Sequence, residues 1–167
     1  MAPLRTGAKL HWTTHVITGA ALGYSLGHRV PATLAGLASH LVLDIVPHHD
    51  PESDAGYVID TLLGSSALAA LCLLRITRRQ VELGPAIWGA VGAALPDVEL
   101  AVKLLKDLDS EQLVFPTHNG TVPHLQTALM PSLLAEAALV PITLIPVALK
   151  VLSRGLRPAG EPGARGG

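Results

Sequence analysis

His40 and Asp44 stand four residues apart inside the apolar stretch SHLVLDIVPHHD (39–50). On a helix that spacing puts an imidazole and a carboxylate on one face, one turn apart. Imidazole and carboxylate together are ligands for zinc and other first-row divalent ions. The pair belongs to a longer stripe: Ala32, Gly36, His40, Asp44 and His48 recur at every fourth position. A second stripe runs His11, His15, Gly19, Gly23 and Gly27, and a third runs Gly89, Ala93 and Asp97, with Glu99 two residues beyond. Small residues at this spacing let helix backbones approach closely. The design predicts helices joined through their small ends, with their polar ends brought together. His118 and His124, in PTHNGTVPH (116–124), are further candidates from a loop. The candidate metal ligands are therefore His15, His40, Asp44, Asp97, His118 and His124. That set exceeds what a four-coordinate zinc needs. Either two ions share it, or some carboxylates orient imidazoles from behind. A spare acid, Asp44 or Asp97, is the candidate catalytic base toward water acidified by the ion.

Each feature has a plainer reading. Glycine stripes usually serve packing alone, and a single histidine can sit at an interface without binding anything. The combination points further, because an ionisable residue inside an apolar helix is costly and marks a functional site by default.

The elements that must position these groups are helices. The chain has 167 residues, enough for one domain. Hydrophobic residues are 49% and charged residues 15%, against ~25% charged in soluble domains; mean hydropathy is +0.43. Net charge is -1. These values exclude a disordered chain and a nucleic-acid binder with a basic face. The single Cys72 excludes a disulfide scaffold. Five helices are predicted, over residues 11–28, 31–46, 57–76, 84–105 and 125–152. Pro131, Pro141 and Pro146 predict kinks or a break in the last. The expected fold class is all-α: a polytopic membrane helix bundle of about five transmembrane helices. It forms one membrane-embedded domain over 1–157, and the Gly/Pro/Arg-rich tail 158–167 is expected to be disordered. A soluble five-helix bundle is the competing fold, but soluble helices carry a charged face and these mostly do not. A cleaved signal peptide at the start is disfavoured, since its apolar stretch leads directly into a second helix.

Five crossings would place His11, His15, His40, His48, His49, His118 and His124 on one side of the bilayer, with Asp44, Asp50, Asp60 and Asp97. Only His28 falls on the other side. Arg29, Arg75, Arg78, Arg79, Lys150, Arg154, Arg157 and Arg165 lie on the His-poor side, against Arg5, Lys9, Lys103 and Lys106 on the His-rich side. The positive-inside rule then puts the His-rich face outside the cytoplasm.

The stretches THVITGAALG (14–23), SHLVLDIVPHHD (39–50), ALPDVE (94–99) and PTHNGTVPH (116–124) resemble motifs of small bacterial membrane proteins grouped as membrane-bound metal-dependent hydrolases, themselves compared with zinc-dependent phospholipase C. In that family the HLxxD element follows the PD element; here it precedes it. The resemblance implies that His15, His40, Asp44, Asp97, His118 and His124 are metal-site residues, that zinc is the divalent ion, and that the protein sits in the bacterial inner membrane.

The leading expectation is thus a membrane-bound metal-dependent hydrolase acting on a phosphoester or lipid-like ester. Its partners would be the lipid bilayer and a small-molecule or lipid substrate, with no nucleic acid; the sequence carries no sign of oligomeric state. A non-enzymatic membrane protein binding a metal ion through the same histidines is the alternative. Haem fits less well, because few aromatics are available to line its cavity. A purely structural membrane protein is the third reading. Asp60 is expected to serve a helix dipole, Glu136 to be an interfacial acid, His49 and Asp50 to lie in an exposed loop, and Trp12 and Trp88 to sit at the headgroup level.

Overall fold

The structure is a computed structural model that describes residues 12–46, 54–77, 82–106 and 108–123. Among these residues the fold is all-α, with four helices: α1 (Trp12–Leu26), α2 (Arg29–Ile45), α3 (Asp54–Thr77) and α4 (Gly84–Lys106). A 3₁₀ turn, Ser110–Gln112, follows α4. The helix predicted over 125–152 and the tail 158–167 lie outside the described residues, as do His11, His48, His49, Asp50, His124 and Glu136.

Local chemistry sets the turn between α1 and α2. Gly27 takes φ 77°, and its N–H bonds the Gly23 carbonyl at 3.1 Å. A residue without Cβ adopts this left-handed backbone at little cost, which ends the helix. Gly27 therefore serves the turn, whereas Gly19 and Gly23 serve packing. His28 is extended and caps α2. Pro31 sits in the first turn, where a missing N–H does no harm.

α4 is the central helix, packed against both α1 and α2. A Cβ on Gly19 or on Gly36 would overlap the Gly89 carbonyl oxygen, and a Cβ on Gly89 would overlap the Gly19 carbonyl. Gly23 meets the Pro85 carbonyl in the same way, and Gly92 meets that of Thr33. Three backbones thus touch where the stripes carry glycine, as small residues at fourfold spacing allow. Val16, Ala90 and Ala94 form the buried apolar cluster, flanked by Trp12, Ala20, Ala67 and Leu68.

α3 is attached differently. Gly64 lies against Trp12 and Thr13 of α1. The Thr13 N–H donates to Asp60 Oδ1 at 3.3 Å, and its hydroxyl donates to the Asp60 carbonyl at 2.8 Å. Asp60 therefore places its carboxylate at the start of α1, where the helix dipole favours negative charge, and not at the start of its own helix.

Among the described residues, two helices are long and apolar enough to cross a membrane, over Val58–Thr77 and Gly84–Lys103, with mean hydropathies of 1.6 and 1.2. The expectation of about five spans is not supported. As described, α1 has 15 residues and α2 has 17; at ~1.5 Å per residue those described lengths are about 22 and 26 Å, against a hydrocarbon core of ~30 Å. Trp12 packs against the apolar cluster, whereas Trp88 is exposed.

Candidate metal centre

The antiparallel α1–α2 pair and α4 bring the polar ends of their stripes together. His15 comes from α1, His40 and Asp44 from α2, and Asp97 from α4. His118 arrives on the loop that follows the 3₁₀ turn. His40 is fully buried, and His15, Asp44 and Asp97 are each 4% exposed or less. Of the sequence candidates, only His124 lies outside the described residues.

The two nitrogens of each ring have separate tasks. His40 Nδ1–H donates to the Ala93 carbonyl at 2.6 Å. A neutral ring so held carries its lone pair on Nε2. That atom is 3.3 Å from Asp44 Oδ2 and 3.7 Å from Asp97 Oδ1. His118 repeats the arrangement. Its Nδ1–H donates to Glu99 Oε1 at 2.8 Å, and its Nε2 is 3.8 Å from Asp44 Oδ2 and 3.8 Å from Asp97 Oδ1. Two lone pairs and two carboxylate oxygens thus face one another out of contact with water. Such a set repels itself unless a proton or a cation lies among the four atoms. His40 Nε2 and Asp97 Oδ2 are buried with no hydrogen-bond partner among the described residues, which fits a site built for a cation.

His15 completes the group. Its Nε2 is 3.3 Å from Asp44 Oδ1, and its ring stacks on His40 with centroids 3.9 Å apart and an interplanar angle of 18°. Two overlapping triads have donor atoms within 4.8 Å of one another: His15, His40 and Asp97, and His40, Asp44 and His118. His40 is common to both. Its Nδ1 is committed to Ala93, so it has one lone pair and can ligate one ion. This buried His/Asp cluster could bind a metal ion.

Three residues around the cluster were given no role by the sequence: Glu99, noted only as lying two residues beyond Asp97, and Thr117 and Phe115. Glu99 accepts from the N–H groups of Val114 at 2.9 Å and Phe115 at 3.0 Å, as well as from His118. Thr117, 5% exposed, donates its hydroxyl to Asp44 Oδ2. Phe115 sets its ring edge-on to His40, with centroids 5.0 Å apart. Burial holds the His118 imidazole below its ordinary value, although the Glu99 hydrogen bond works the other way. The available signals were the acid two places after Asp97 and the threonine beside His118, neither of which has a period to follow.

No protein-family model, no curated protein and no solved structure matches the chain.

Proposed function

We propose that this chain is a multi-pass inner-membrane protein whose His/Asp cluster holds a divalent ion, zinc foremost, and hydrolyses a phosphoester or lipid-like ester at the extracytoplasmic face. The observation that carries the metal reading is the convergence of His40 Nε2, His118 Nε2, Asp44 Oδ2 and Asp97 Oδ1. Zinc bonds of ~2.0–2.1 Å in a tetrahedron put donor atoms ~3.3–3.4 Å apart. The His40 and His118 Nε2 atoms lie 3.3 to 3.8 Å from Asp44 Oδ2 and Asp97 Oδ1, close to that spacing. When bound, such an ion would supply Lewis acidity and lower the pKa of water beside it.

The chain's own groups divide the remaining work. Asp44 is engaged at both oxygens, by His15 and by Thr117, and acts as a fixed holder of charge. Asp97 uses Oδ1 toward the two imidazoles and keeps Oδ2 uncommitted, so Oδ2 is the atom that can accept a proton from an attacking water. The membrane reading draws on the two apolar helices and on the close glycine contacts.

The burial of His40 favours a second reading, a closed metal site with a structural or storage role. The face-to-face stack of His15 on His40 leaves no place for a porphyrin between them, which argues against haem.

Metal analysis of the purified full chain, repeated for His40→Ala and Asp44→Ala, tests the proposal. Stoichiometric zinc in the wild type and its loss from both variants is expected. Unchanged zinc in both variants rejects the site. Zinc-dependent cleavage of a chromogenic phosphodiester by the wild type, lost in His40→Ala and Asp44→Ala, separates the hydrolase from the closed-site reading, which expects no cleavage by the zinc-loaded wild type.

A further inference from the structure

Glu99 lies two residues beyond Asp97 on α4, and residues so spaced do not share a helix face. Its side chain is 22% exposed, and the four hydrogen bonds it accepts among the described residues all come from one short stretch of the following loop. The Val114 N–H meets Oε2 at 2.9 Å, and the Phe115 N–H meets Oε1 at 3.0 Å and Oε2 at 3.3 Å. The last is His118 Nδ1–H, on Oε1 at 2.8 Å. The stretch is also organised from within. The His118 and Asn119 N–H groups bond the Phe115 carbonyl at 3.0 Å, and Val122 N–H bonds that of Pro116 at 2.9 Å. Thr117 then ties the same loop to Asp44.

We infer that Glu99 is the positioning residue that presents His118 to the metal ion, by holding Nδ1 protonated and turning Nε2 toward Asp44 and Asp97. The inference rests on the metal reading above. Glu99 occupies the outer place in a carboxylate–imidazole–metal series, in which the acid fixes the ring's tautomer and raises the basicity of the ligating nitrogen. Ala93 does the same for His40 with a neutral carbonyl. The two imidazoles are therefore held differently: His118 has a charged partner at Nδ1 and is carried by a loop, whereas His40 has a neutral carbonyl and is carried by a helix. His118 and its anchor together decide how tightly the ion is held.

Zinc alone is the probe, titrated into the full chain in detergent against a chromophoric chelator. Removal of an outer partner of this kind weakens metal binding by ~10–100-fold. Glu99→Ala should lie at the upper end of that range. Glu99→Gln keeps an acceptor for Nδ1–H but loses the charge, and should recover part of the affinity. In a His118→Ala background, Glu99→Ala should cause little additional loss, because its effect passes through the missing ring. Wild-type affinity in Glu99→Ala overturns the inference, and so do losses that multiply in the double variant. A wild type that binds no zinc refutes the metal reading itself, whereas a wild type that binds zinc irrespective of residue 99 refutes only the role of Glu99.

Discussion

Helices α3 and α4 have almost the same length, 24 and 23 residues, and both pass for membrane spans. Yet 6% of the apolar window of α3 is buried in the protein, against 56% for α4. The difference follows side-chain size. α4 meets its neighbours with Gly89, Gly92, Ala86, Ala90, Ala93 and Ala94, and buries them. α3 turns Val58, Ile59, Leu62, Leu63, Leu73, Leu74 and Ile76 outward. In a bilayer, lipid tails match large aliphatic side chains as well as another helix does, so close contact selects for small ones. Hydropathy ranks the two helices nearly alike; residue volume tells which of them holds the site.

Substitutions can break that contrast. The largest effect is expected from Gly89→Leu. Overpacking alone costs ~1–3 kcal/mol, and here the new side chain meets the backbone of α1, which cannot swing aside. Loss of the folded species on size exclusion, with loss of metal, is the expected result; a folded, metal-loaded variant would show that the glycine contacts are dispensable. Next comes Ala70→Lys, exposed in the middle of α3. A lysine at the centre of a membrane span costs ~2.5–3.5 kcal/mol of insertion, read by a glycosylation-mapping assay of membrane integration. Unchanged integration would remove α3 from the bilayer. Asp97→Asn should abolish tight zinc binding while leaving the helices folded, because it removes a buried charge and keeps its shape; circular dichroism and chelator competition report the two halves. Protons compete with the metal for Nε2. Burial holds His118 below its ordinary value of about 6.5, so protons displace the metal from this ring only on the acid side of that value, and His118→Ala should lose that acid-side part of the pH dependence. An unchanged pH profile of zinc retention in His118→Ala would remove His118 from the ligand set. Leu63→Ala should do least, shifting stability by about 0.5 kcal/mol or less, as surface changes do, with zinc content unaltered.

Much of this arrangement can be read from spacing. The fourfold stripes place His15, His40, Asp44 and Asp97 at the ends of three helices, and α1 to α4 fall within a few residues of the predicted ranges. The stripes carry information because helical geometry repeats. Loops have no period, so the sequence nominated His118 without showing that Glu99 would hold it. Glu99 itself looked unremarkable because its separation from Asp97 is wrong for a shared face; it reaches the site through the ring of His118. Gly27 shared the spacing of the packing glycines, and only its backbone angle shows it to be the end of a helix. Length, too, misled: among the described residues, α1 and α2 run for 15 and 17 residues, short of a span.

Ala93 and Asp97 lie one turn apart on α4, and each faces His40, one through a backbone carbonyl and the other through a carboxylate. The same helix also presents Gly89 to α1 and α2. A slip of α4 by one residue would rotate it by ~100°, withdrawing the Asp97 carboxylate, the carbonyl that orients His40, and the packing glycine in a single step. No partly assembled centre survives such a slip. The cluster is therefore tied to the register of α4: the groups that could hold an ion meet only where three helices have met in the right register.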